Sequence, residues 1–320
     1  MNNILFAKIA QRLPQNQSLN ETIANTLNVS YDAAHRRTSG KSKLSLEEAV
    51  RLAEAFNLSL DELKNCGQEL VAVQKTAMIT TAKDLEHYFQ QSAESVKKLA
   101  QQKDCRLYYS AKDIPIFYLL DGRELTRFKI YVWLKLLAND WDAVHFENFN
   151  LPLDTFKAAV KLGEVYRDIP KTEIWGTTTF NSTLKQIHFY FEAGQLNSET
   201  ALAICGELSE LLDQLKSNAR ADNKDFSIYH NELLLMNNTV FIESANRNAF
   251  YVPFTFLSYF LATDELTCRQ AQISINKQLS KSVSLNTAGD RVRNQFFDKI
   301  KKRILALESL IRAQDTLDFE

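Results

Sequence analysis

Glycine, proline, cysteine and methionine are scarce in this 320-residue chain, with eight, five, four and three copies. None of the glycines falls in a G-x-G-x-x-G, G-x-x-x-x-G-K-[ST] or G-x-S-x-G pattern, which excludes the usual phosphate-cradling turns and the nucleophile elbow. Cys66, Cys105, Cys205 and Cys268 are far apart, with no C-x-x-C spacing. That fits reduced, buried thiols and argues against disulfides, zinc or redox work. His35, His87, His145, His188 and His230 are equally isolated, with no H-E-x-x-H. Asp140, Asp142 and Glu147 lie near Trp141 and His145 in sequence, but no spacing there marks an acid–base pair. No catalytic residue, metal ligand or cofactor is therefore expected, and the protein reads as a non-enzyme. The formal net charge of -1 excludes a surface that coats nucleic acid indiscriminately. No window approaches the roughly 18 uninterrupted apolar residues of a membrane span. The apolar run in the opening MNNILFAKIAQRLP is too short for a signal peptide, so a cytoplasmic protein without membrane contact is expected.

What is present is an ordinary globular composition, 45% hydrophobic and 24% charged, at a length suited to about two domains. Cations are concentrated in two places. Residues 30 to 43, SYDAAHRRTSGKSK, hold four of them, and residues 267 to 303 hold nine against the two acids Asp290 and Asp298.

Helical periodicity starts at once. Ile4, Leu5, Ile9 and Leu13 share a face and Pro14 follows as a stop. Ser18 and Glu21 are spaced as a capping box for a second helix with Ile23, Ala24 and Leu27 inward, and Asn28 suits a left-handed turn. Ser30 is placed to cap a third helix and Gly40 to end it with positive φ. LSLEEAVRLAEAF is a fourth helix, and SLDEL begins a fifth near Ser59.

Two helices joined by a left-handed turn, the first with a small residue at the contact, are the requirements of a helix-turn-helix. On NETIANTLNVSYDAAHRRTSGK followed by LSLEEAVRLAEAFNLSLDEL, residues 4 to 64 resemble the lambda-repressor-like, or XRE-type, DNA-binding domain. Asn28 replaces the family's usual glycine, Ala34 its frequent isoleucine and Arg37 a usually apolar residue. The resemblance implies a sequence-specific, homodimeric transcriptional regulator bound to double-stranded DNA. It places Ser30, Tyr31, Asp32, His35 and Arg36 on base edges and Asn20, Arg37, Lys41 and Lys43 on phosphates.

Further along, Met78, Ala82, Leu85, Phe89, Ser92, Val96 and Leu99 form a heptad seam, read as a long connector helix in a segment spanning 67–103. CRLYYSAKDIPIFYLL reads as a strand or an extended docking segment. Helices are expected at about 122–139, 153–167, 181–194, 198–217, 264–279 and 288–312. LLLM, TVFIES and AFYVPF read as a small antiparallel β-meander. The expected fold is thus mainly α: a five-helix DNA-binding domain at 1–66, the connector, and a helix-rich α+β domain at 104–320. That last domain is expected to sense a small-molecule or peptide effector or a partner, or else to serve only oligomerisation. The cations of 291–303 are read as the solvated side of an amphipathic helix.

Overall fold

The computed structural model describes residues 2–14, 17–56, 58, 60, 71–138, 141–233, 237–245 and 247–317. The chain divides into two units, with the boundary after Ala72.

The first unit contains α1 (Asn2–Arg12), α2 (Leu19–Leu27), α3 (Tyr31–Thr38) and α4 (Leu46–Ala55). The fifth helix expected from Ser59 falls largely on residues outside those described. The apolar residues of the four described helices converge as the periodicity requires: Leu5, Ile9, Ile23, Leu27, Ala34 and Leu52 are buried together. The capping box expected at Ser18 does not form, since Ser18 is extended at the N-cap but its hydroxyl makes no cap bond. The complete box lies at Ser45 and Glu48, where the Glu48 N–H donates to Ser45 Oγ at 3.1 Å and the Ser45 N–H to Glu48 Oε2 at 3.0 Å. Such caps contribute about 1 kcal/mol each.

The second unit overturns the expected fold class. It is α/β, built on an eight-stranded mixed sheet in the order β1-β7-β6-β5-β2-β3-β4-β8. The strands are β1 (Gln74–Lys75), β2 (Arg106–Ala111), β3 (Lys171–Trp175), β4 (Phe226–His230), β5 (Thr239–Glu243), β6 (Ala249–Thr255), β7 (Ser258–Ala262) and β8 (Val283–Ser284). β2, β3 and β4 are parallel, with helices in both connections as parallel pairing demands. The antiparallel run β5-β6-β7 is real, but it is one flank of this larger sheet. Of the expected meander, most of LLLM lies outside the described residues.

The reason the parallel centre escapes a periodicity reading is its composition. Buried parallel strands normally read as continuous apolar runs, whereas β3 is KTEIW with all five residues buried and β4 is FSIYH. Their polar groups are satisfied by tertiary partners. Glu173 Oε1 accepts from Tyr118 Oη at 2.7 Å and Tyr166 Oη at 2.5 Å, and Glu173 Oε2 from Trp175 Nε1 at 2.8 Å. Lys171 Nζ donates to the Arg167 carbonyl and sits over the Tyr166 ring. Burial nonetheless pushes the Glu173 carboxyl above its ordinary range.

Alternate residues of the sheet face two cores. Leu107, Tyr109 and Trp175 face the main one, which also takes in α5 (Ala82–Ala100), α6 (Glu124–Leu137), α7 (Leu153–Arg167), α8 (Asn181–Glu192), α9 (Ser198–Asn218) and α11 (Asp290–Leu317). Phe241, with Tyr108 and Phe250 beside it, meets α10 (Glu265–Ser280) on the other face. Gly163 is where α7 passes the chain at Leu120: a Cβ there would stand 2.3 Å from the Leu120 carbonyl oxygen. The heptad seam belongs to this core. Leu85, Phe89, Val96 and Leu99 of α5 are buried within the second unit and α5 packs on α7, while Met78 is exposed. Phe89 therefore has no free face for a partner helix. The basic C-terminal helix is likewise docked, with Phe296, Phe297, Ile300, Ile304 and Leu307 buried. Lys301 pairs with Asp213, and Arg303 donates to the Thr177 carbonyl.

Candidate nucleic-acid interface and an aromatic cavity

The turn between α2 and α3 is set by Asn28, at φ 55° and ψ 48°, the left-handed conformation an asparagine tolerates. The Val29 N–H returns to the Ala24 carbonyl at 3.0 Å, closing the first helix. Ser30 is extended, and its Oγ accepts from the Ala33 N–H at 3.3 Å, opening the second. Gly40 stands at φ 77° and its N–H bonds the Arg37 carbonyl, which ends it.

At about 100° a residue, Tyr31, Asp32, His35, Arg36 and Ser39 fall on one side of α3 and Ala34 and Arg37 on the other. Burial follows that division. Ala34 is fully buried, Arg37 is half-buried, and Tyr31, Asp32, His35 and Arg36 are exposed, as are Lys41 and Lys43 beyond the helix. Asp32 in the first turn and His35 and Arg36 in the last are each on the favourable end of the helix dipole.

Arg37 and Asn20, both expected on phosphates, also make bonds within the unit. The Arg37 guanidinium is bound by the Glu48 carboxylate, Nη2 to Oε1 at 2.6 Å and Nε to both oxygens at 3.1 and 3.2 Å, and Nη1 donates to the Ala33 carbonyl. Hydrogen bonding to Arg37 holds the Glu48 carboxyl below its ordinary range, and the same bond raises Arg37. Arg37 thus ties α3 to α4. Asn20 ties α2 to α3: its Oδ1 accepts from Thr38 Oγ1 at 2.6 Å, and its Nδ2 lies 3.4 Å from Tyr31 Oη and 3.3 Å from His35 Nδ1. Sequence spacing puts Arg37 inward but does not reveal Glu48 as its partner, although the S-x-x-E at Ser45 and Glu48 marks that residue as a helix start.

The second unit has a cavity of about 470 Å³ between α5 and the sheet, open to solvent on one side. Its lining is mostly apolar, including Val96, Leu107, Phe117, Val240, Ile242 and Leu261. Tyr88, Tyr109, Tyr251 and Tyr259 add phenol groups, with the hydroxyls of Tyr109 and Tyr259 hydrogen-bonded to each other. Burial pushes the Tyr251 hydroxyl up to about 12 and the other three upward as well, so all four are protonated at neutral pH. In sequence Tyr109 lies in CRLYYSAKDIPIFYLL and Tyr251 and Tyr259 in AFYVPFTFLSYF, and nothing in the spacing sets them or Tyr88 apart.

Elsewhere polar groups serve the fold. Glu147 accepts the Asn197 N–H that opens α9, and His145 meets the Gly194 carbonyl. Burial pushes the Cys205 and Cys268 thiols up to about 12 and 11, which disfavours the reactive thiolate; Cys66 lies outside the described residues. Among the described residues no three His, Cys, Asp or Glu side chains are grouped to hold a metal ion, and no helix is long and apolar enough to cross a membrane. Comparison of the chain with protein-family models, curated proteins and solved structures gives no match, so any functional reading rests on the residues themselves.

Proposed function

We propose that the protein is a sequence-specific DNA-binding transcriptional regulator whose second unit senses an effector. One observation carries the reading: α2 and α3 meet through a left-handed Asn28 turn, and α3 presents Tyr31, Asp32, His35 and Arg36 outward from a packed inner side of Ala34 and Arg37. An exposed polar helix face of this kind, held at fixed pitch by Asn20 and by the Arg37–Glu48 pair, suits insertion in a major groove. In that groove Arg36 offers paired donors to guanine and Asp32 an acceptor to cytosine N4, with Tyr31 set against a thymine methyl or a phosphate. Ser30 keeps a hydroxyl donor after capping α3, and His35 continues the exposed face. Lys41 and Lys43 extend from the end of the helix to the sugar–phosphate backbone and set register.

One eight-residue helix reads few base pairs, so two copies acting together are part of the proposal, on half-sites about 34 Å apart. Footprinting the full-length chain on genomic DNA from its source tests it. The expected result is protected, near-palindromic sites whose occupancy falls steeply with salt through counterion release. No protected site at moderate salt would reject DNA recognition.

A further inference from the structure

The cavity of the second unit has a floor, a roof and a rim with different chemistry. The floor is the sheet, where Leu107, Val240, Ile242 and Leu261 are apolar and Tyr109, Tyr251 and Tyr259 carry hydroxyls; the roof is α5, with Tyr88, Ser92, Ser95 and Val96. The members of the lining that carry charge at neutral pH, Lys75 and Asp84, and the imidazole of His87 are at the rim. Lys75 and His87 are exposed, and the Asp84 carboxylate is already engaged by Thr80 and Thr81. An ionised ligand would therefore leave water without a buried counter-charge, at a cost of several kcal/mol. An uncharged one meets apolar walls for affinity and protonated phenols, able to donate or accept, for orientation.

The rim also contains the start of this unit. Gln74, Lys75, Thr76 and Ala77 line the cavity, and β1 begins two residues after the boundary at Ala72. β1 has only two residues, paired as Gln74 with Leu261 and Lys75 with Phe260. It is extended by reciprocal bonds, Thr76 N–H to the Tyr259 carbonyl at 3.1 Å and Tyr259 N–H to Thr76 Oγ1 at 2.9 Å. So short an edge strand is marginal by itself. Tyr259 and Leu261, on which it depends, are also walls of the cavity.

Building on the regulator reading above, we infer that this cavity binds an uncharged, largely apolar small molecule carrying a hydrogen-bonding group, and that its occupancy holds β1 on the sheet. Because β1 leads directly from the DNA-reading unit, a ligand with higher affinity for the β1-paired arrangement biases that junction by its differential binding.

The test uses the full-length chain and two probes with one aromatic skeleton, neutral N-phenyl-1-naphthylamine and anionic 8-anilino-1-naphthalenesulfonate. The neutral probe is expected to saturate at one equivalent and the sulfonate to bind at least about tenfold more weakly. Ser95→Trp, a change at an exposed helix position that fills the roof, should weaken the neutral probe by about tenfold or more. Tyr251→Phe, which removes one phenol hydroxyl and leaves the ring, should weaken it by about threefold. Hydrogen exchange at the Thr76 and Tyr259 amides should slow severalfold when the probe is bound. Absence of saturable binding, equal affinity for both probes, or unchanged exchange at those amides would each overturn the inference. The outcome is separable from DNA recognition: a normal footprint without probe binding removes the cavity site alone, whereas probe binding with slowed β1 exchange and no footprint removes the regulator reading alone.

Discussion

The two units differ in where they keep their polar side chains. Among the described residues, every buried side chain of the first unit is apolar, and its key ion pair, Arg37–Glu48, is about one-fifth exposed at each end. The second unit buries Glu86, Lys129, Lys171 and Glu173. At Glu173, three donors converge on one carboxylate that water does not reach. The lesson is one of tolerance. Exposed polar groups such as Tyr31, Asp32, His35 and Arg36 can be changed at small cost in stability, while a polar group inside a sheet is bound to its partners and cannot be altered alone.

That contrast can be broken most sharply at Glu173. Glu173→Leu strands the hydroxyls of Tyr118 and Tyr166 and the Trp175 indole N–H, and should destabilise the second unit by about 3–5 kcal/mol, read as a drop in its denaturation midpoint. Glu173→Gln, which retains an acceptor, should lose less. A midpoint unchanged by the leucine would show the network to be dispensable.

On the exposed face of the first unit, Arg36→Ala should leave folding intact and cost about 1–3 kcal/mol of DNA affinity at the preferred sequence, relaxing preference at one base position in a selection experiment. If preference is unchanged, Arg36 is not a base reader.

Arg37→Ala lies between these cases and should cost the first unit about 1–2 kcal/mol, because the pair is only partly shielded from water. Its pH dependence has a definite sign. Glu48 is held below its ordinary value, so the pair's contribution is full above the unfolded carboxyl value of about 4.3 and is lost as pH falls through the lower folded value. The stability difference between wild type and variant, followed by amide exchange in α3 and α4, should therefore shrink in acid.

The smallest effect is expected at Lys43, whose substitution by alanine should weaken binding to all sequences alike and reduce the salt slope by about 1.

The helices were largely legible from spacing. Those expected at 153–167 and 198–217 lie at Leu153–Arg167 and Ser198–Asn218, because apolar residues three and four apart are a local property of the chain; the second is also capped by Asn197. The outward set of α3 was legible for the same reason, since helical pitch alone separates Tyr31, Asp32, His35 and Arg36 from Ala34 and Arg37. Strands β3 and β4 were not. KTEIW carries no apolar run, and only Tyr118, Tyr166 and Trp175 arriving from other elements make a glutamate acceptable inside a sheet. The partner of Arg37 was hidden too, eleven residues away on another helix.

What the sequence by itself determined was the pitch, start and stop of individual helices, through side-chain spacing, Ser30 and Ser45 at N-caps, and the left-handed tolerance of Asn28 and Gly40. What only the tertiary structure decided was the parallel sheet, the fate of the heptad seam as core, and the meeting of four distant tyrosines around one cavity. Those depend on which surfaces find each other after the local elements exist, and the burial of a polar group is settled by partners that no local window of sequence contains.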